Sequence, residues 1–77
     1  MRCTISTVNK TETYDRLESV VIFTPAGRAE IRTGHAEYFA NLREGEVLCI
    51  TPTKKEIRVP VPESLCHVLD DEVTIIG

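Results

Sequence analysis

Turn-forming residues interrupt this chain about every ten positions, and that spacing leaves room for strands but little room for helices. The interruptions are Asn9-Lys10, Pro25 with Gly27, Gly34, Gly45, Thr51-Pro52-Thr53-Lys54-Lys55, Pro62-Glu63-Ser64 and Asp70-Asp71. Between them lie short runs rich in β-branched residues, several of which alternate apolar with polar side chains. Cys3, Ile5 and Thr7 point one way and Thr4 and Ser6 the other; Val47 and Cys49 oppose Leu48 and Ile50; Ile57, Val59 and Val61 oppose Glu56 and Arg58. Period-two alternation marks strands with one face on a core. Thr11–Tyr14 returns after the Asn9-Lys10 turn. Leu65–Leu69 alternates again, and Val73–Ile76 closes the chain. Leu17–Thr24 is continuously apolar through Val20-Val21-Ile22-Phe23, as expected of a strand in a sheet interior that ends at Pro25. Pro60 and Pro62 fall on the outward parity, so their strand lies on a sheet edge or breaks there. The expected fold is all-β: one domain over residues 1–77, a small antiparallel β-sandwich or flattened barrel of about eight to ten short strands.

The stretch Gly27–Gly45 holds three of the four glycines. It reads as a long excursion between strands. Within it, Arg28–Ile31 forms a short strand, and Ala36–Leu42 is a strand or extended loop laid over the core. At helical spacing Tyr38, Phe39 and Leu42 would share a face, but seven residues are too few for an independent helix. Gly34 sits where the backbone must turn before His35.

Size and charge limit the chemistry. A domain this small has a thin core, so a binding surface is expected in place of an enclosed substrate cavity. The net charge is −3, and nine basic residues are scattered among twelve acidic ones. That distribution argues against a nucleic-acid partner, which needs clustered Lys and Arg. No stretch approaches the roughly 20 apolar residues of a membrane span, so no direct membrane insertion is expected. Cys3, Cys49 and Cys66 are an odd, widely spaced set and read as buried free thiols of a reducing compartment. With His35 and His67 they lack the close spacing of zinc ligands, and Cys66 and His67, adjacent on a strand, point to opposite faces. No nucleophile with base and oxyanion donors can be assembled, and neither phosphate-binding glycine motif is present. Arg28, Arg32 and Arg43 are interleaved with Glu30, Glu37 and Glu44, the pattern of a solvated, charged rim. No metal or cofactor is expected. From the residues alone, the chain is a docking module and a monomer in isolation.

The sequence Gly27-Arg28-Ala29-Glu30-Ile31-Arg32-Thr33-Gly34-His35-Ala36, then Leu42 and Gly45, then the closing Val73-Thr74-Ile75-Ile76, resembles the N-terminal β-domain of the epsilon subunit of F-type ATP synthase. The resemblance covers most of the chain. It departs from the family pattern at Glu30, where a second glycine is usual, at Thr33, where proline is usual, and at Pro62-Glu63-Ser64, which replaces a Gly-Gly hairpin. It implies a non-catalytic rotor subunit that docks on the gamma subunit and the c-subunit ring and couples proton or sodium flow to rotation. By the same resemblance the ring-facing positions are Gly27, Arg28, Ala29, Glu30 and Ile31, with Gly34 and His35 shaping the return. Tyr38, Phe39 and Leu42 are the candidates for the gamma contact. Without C-terminal helices, the sequence is expected to be either a short-form epsilon subunit or one domain of a longer one, and the implied location is peripheral, on the cytoplasmic side of a bacterial-type inner membrane. The alternative is a free-standing β-sandwich that binds some other protein.

Overall fold

The computed structural model describes Met1–Gly77 and contains nine strands and no helix. They are β1 (Arg2–Ser6), β2 (Thr11–Tyr14), β3 (Ser19–Thr24), β4 (Gly27–Arg32), β5 (Tyr38–Leu42), β6 (Gly45–Ile50), β7 (Glu56–Val61), β8 (Ser64–Leu69) and β9 (Glu72–Ile76). A five-stranded sheet runs in the order β2-β1-β9-β8-β5 and a four-stranded sheet in the order β4-β3-β6-β7. Both sheets keep free edges, so the fold is a sandwich and not a closed barrel.

All neighbours are antiparallel except β1 and β9, which pair in parallel, Cys3 opposite Val73 and Ile5 opposite Ile75. That pair departs from the expected all-antiparallel arrangement. A tight hairpin forces antiparallel neighbours, and no hairpin joins the first strand to the last.

The alternating residues meet between the sheets. Cys3, Ile5, Val47, Cys49, Val59, Val61, Cys66, Val68, Val73 and Ile75 all belong to one buried cluster. Each Val or Ile side chain among them contributes about 1.5–3 kcal/mol by leaving water, before the cost of ordering the chain. Pro60 is accommodated within β7, which pairs only with β6 and forms an edge, and Pro62 lies just past the strand's end at Val61. The continuous run in β3 has a specific cause. Val20 and Ile22 face the core, while Ser19 and Val21 lie on the outer parity and are also buried. Val21 sits between Glu30 and Leu48, Ser19 opposite Arg32, and Leu48 opposite Arg58. The cross-strand neighbours of this central stripe are long charged residues of both flanking strands, whose aliphatic stems are able to cover apolar surface.

The Gly27–Gly45 stretch is more regular than the excursion expected of it. Two full strands occupy it, one in each sheet, joined by Thr33–Glu37. The β8–β9 hairpin turns on two residues, Asp70 at φ 51° and Asp71 at φ 61°, both left-handed as a primed turn demands.

Candidate functional site

Strand β4 carries most of the positions singled out in the sequence. Its register sets Ala29 opposite Ile22 and Ile31 opposite Val20, so those two side chains turn toward the core. Ile31 is only 1% exposed. Arg28, Glu30 and Arg32 therefore project from the outer face of the four-stranded sheet, on a strand that is itself an edge. Glu30 is engaged at home: it accepts a hydrogen bond from Ser19 Oγ at 2.9 Å and pairs with Arg32 Nη2 at 3.3 Å. The Ser19 hydroxyl, helped by the Arg32 and Arg28 charges, holds its carboxyl below the usual value against the opposing effect of burial. Arg28 takes part in none of the ion pairs. The free charge offered by this strand is therefore positive.

Gly27 and Gly34 flank opposite ends of β4, about 20 Å apart for a six-residue strand. The candidate ring-facing residues thus form one sheet edge with a turn at each end, not a single loop tip. At the far end Gly34 has φ +86° and donates its N–H to Asp71 Oδ1 at 2.7 Å. His35 N–H closes the turn on the Arg32 carbonyl at 3.1 Å. The His35 ring donates from Nδ1 to the Ala36 carbonyl at 2.7 Å and meets Tyr38 edge-on, 5.6 Å between ring centres. Gly34 and His35 therefore do shape the return of the chain, as the sequence suggested.

Tyr38, Phe39 and Leu42 do not share a face, because β5 has a period of two. Leu42 belongs to the core at 2% exposure and offers no surface; Tyr38 is half-buried on the same side. Phe39 points outward at 62% exposure and stacks flat on His67, 4.2 Å between ring centres. His67 Nε2 in turn meets Glu37 Oε2 at 2.8 Å. Beside this stack lie Leu65, Leu69 and Ile76, all exposed, with Leu65 directly opposite Ile76. The outer face of the five-stranded sheet thus carries an apolar patch that sequence reading missed. Its signal was present: Leu65 and Leu69 share the outward parity of His67. An open groove of about 550 Å³ adjoins the patch between Pro25, Arg43, Glu63, Leu65 and Ile76.

The remaining candidates for chemistry are dispersed. All three cysteines are free and buried, and burial pushes the Cys66 thiol up to about 11. Cys66 points into the core and His67 out of it. No three His, Cys, Asp or Glu side chains converge as a metal-ligand set.

Among curated proteins, none matches the chain significantly. Solved structures do. A chain in the cryo-EM structure of the Euglena gracilis mitochondrial ATP synthase (OSCP/F1/c-ring, rotational state 1) superposes with a TM-score of 0.82 at 19% identity, over 97% of this chain. This chain spans 48% of that one, about half its length. At such identity the likeness is one of fold. The family itself is given by sequence: a family model for the β-sandwich domain of the ATP synthase delta/epsilon chain matches residues 1–77, so this chain belongs to that family.

Proposed function

We propose that the domain is a non-catalytic part of the central rotor stalk of an F-type ATP synthase, docked on the gamma subunit and on the c-subunit ring. The observation that carries this reading is the family match along the whole chain. The domain would lie at the membrane periphery, on the cytoplasmic side of a bacterial-type inner membrane, and transmit ring rotation to the shaft by being held at both contacts.

On this reading the residues take different parts. On the ring side, Arg28 and the Gly27 turn provide surface, with Gly34 and His35 setting the far end of the strand. Glu30 tunes the local charge through Ser19 and Arg32. Ala29 and Ile31 act by anchoring β4 to the core. On the gamma side, Phe39 is the exposed member of the proposed trio, and it is continuous with Leu65 and Ile76. Exposed apolar clusters of this kind mark protein contacts.

The test is to rebuild the motor with Arg28→Glu and with Phe39→Ser, and to measure ATP-driven ion pumping beside the ATPase rate. Arg28→Glu should weaken pumping most at low salt and regain part of it as salt is raised, because a rim charge acts mainly on association and salt screens the new repulsion. Phe39→Ser should release the domain from gamma. Normal pumping and retention by both variants would refute these contacts. Co-purification with a protein other than gamma or c subunits would refute the rotor reading itself.

A further inference from the structure

We propose that the open edge of β4 is a strand-addition site, which takes an extended, acidic segment of a partner polypeptide antiparallel to Gly27–Arg32. On the rotor reading that segment belongs to a rotor partner, but the inference rests on the geometry of β4 alone.

The sheet edges are β2, β5, β4 and β7. All but β4 are blunted. β2 has only four residues. β5 has five, and the chain leaving it is tied to the other sheet by Arg43 N–H on the Phe23 carbonyl. β7 carries Pro60, which has no N–H to donate. β4 has six residues and no proline.

The phase of the hydrogen bonds sets which backbone groups β4 leaves free. The Ile50 carbonyl of β6 accepts from Glu18 N–H at 2.8 Å, so Ile50, and Leu48 two residues before it, turn their backbone groups toward β3. Their cross-strand neighbours Ser19 and Val21 therefore face β6, which leaves Val20 and Ile22 to bond β4. Ile31 and Ala29, opposite those two, face back to β3, and Arg28, Glu30 and Arg32 present N–H and C=O outward. The β4–β5 turn agrees, because the Arg32 carbonyl accepts from His35 N–H at 3.1 Å and not from β3. No turn or loop takes up the backbone groups of Arg28 or Glu30. An added antiparallel strand would pair both groups of both residues.

Charge selects the occupant. Arg28, Glu30 and Arg32 are net positive, and their one carboxylate is already held by Ser19 and Arg32. Opposite charges directly across a strand pair attract, and like charges there are destabilising. The complementary segment therefore sets carboxylates opposite Arg28 and Arg32 and an uncharged residue opposite Glu30. Its alternate residues turn inward beside the half-buried Ala29 and are apolar. A second copy of this chain fits less well. Paired about Glu30, it sets carboxylate against carboxylate and arginine against arginine. Paired about Ala29 or Ile31, it needs a carboxylate that Ser19 and Arg32 already hold.

The test titrates the intact chain at low salt with a capped peptide, Val-Glu-Val-Thr-Val-Glu-Val, and follows backbone amides by NMR. The Arg28 and Glu30 amides should shift and gain protection from hydrogen exchange. N-methylation of the peptide threonine, whose N–H faces β4, should weaken binding roughly tenfold or more, while N-methylation of either valine beside it, whose N–H faces away, should leave binding intact. Glu30→Pro removes a donor that the fold does not use, so the chain should stay folded and lose the peptide. Arg28→Glu should weaken binding roughly three- to tenfold, and a peptide with lysine in place of both glutamates should bind the parent no better. No binding at millimolar peptide, equal loss on N-methylation of either edge, or protection confined to another strand would each overturn the proposal. So would a β4-to-β4 dimer in sedimentation that the peptide does not displace. The N-methylated peptides on the parent chain decide the matter even where Glu30→Pro fails to fold. Pumping plays no part in this assay, so the strand-addition site and the rotor reading fail separately.

Discussion

Gly34 offers the sharpest test of how this backbone is held. Its φ is +86°, and a side chain built there would meet nothing within 4 Å. Space is therefore not what excludes larger residues. The cost of Gly34→Ala should be the cost of a left-handed backbone for an L-residue, about 1–2 kcal/mol. Gly34→Val adds β-branched crowding and should reach about 2–3 kcal/mol. For a domain of this size each kcal/mol lowers the thermal midpoint by roughly 4–8 °C. Part of the effect is shared with the β8–β9 turn, because a displaced position 34 no longer presents its N–H to Asp71. The control is chirality. Chemical synthesis can place D-alanine at position 34, where positive φ is its relaxed state. That chain should unfold no earlier than the parent, and the smaller entropy of its unfolded state should favour it by about 0.4–1 kcal/mol. Paired thermal and denaturant unfolding of the L and D forms reads the difference directly. Equal losses for both enantiomers would show that contacts at position 34, not backbone handedness, dictate glycine there. In the rebuilt motor, Gly34→Val should also depress pumping relative to hydrolysis more than Arg28→Glu does.

Ile57→Ala on β7 should cost about 2 kcal/mol, the low end for core truncation, because Ile57 is only half-buried; Val59→Ala, fully inside, should lose about as much despite its smaller side chain. Arg58→Ala between them should cost less than about 1 kcal/mol in denaturant titrations, since its pairs with Glu46 and Glu56 are solvent-exposed. Glu30 has a depressed carboxyl, so its contribution is fully present above the ordinary carboxylate value and disappears as pH falls through the folded value. Stability measured from pH 7 downward should therefore fall more steeply in acid for the parent than for Glu30→Gln. Ser19→Ala should reduce the same acid slope while leaving Arg28 and its salt-dependent association unaltered.

The strand positions were legible because alternation is a direct consequence of a half-buried sheet. Cys3 and Ile5, Val47 and Cys49, and Val59 and Val61 all face inward as their spacing requires. The interior run of β3 was legible as well, though its reason was not. Nothing in a linear sequence states that Glu30 of β4 would stand opposite Val21 and Arg58 of β7 opposite Leu48. The parallel pairing of β1 with β9 was invisible for a related reason, since it joins residues from opposite ends of the chain. Tyr38, Phe39 and Leu42 were grouped because they are apolar and lie outside the clearly alternating strands. Strand parity then separated them, and it is the same parity that gathers Phe39 with His67 and Leu65 on a face no single segment announces.

That separation decides how any functional experiment on this domain must be read. Ile31 and Leu42 sit inside, at the two strands that frame the Thr33–Glu37 turn, while Arg28, His35 and Phe39 sit on the surface those strands position. Truncating a buried anchor lowers stability by a few kcal/mol and shifts the neighbouring surface with it. Truncating a surface residue leaves stability within about 0.5 kcal/mol and alters binding alone. A defect in the assembled motor therefore points to a contact only when the unfolding midpoint of the isolated domain is unmoved. Arg28 and Phe39 meet that condition by their exposure. Gly34 does not, and its effect on pumping must be compared with that of Ile31→Val, which weakens the anchor without touching the turn.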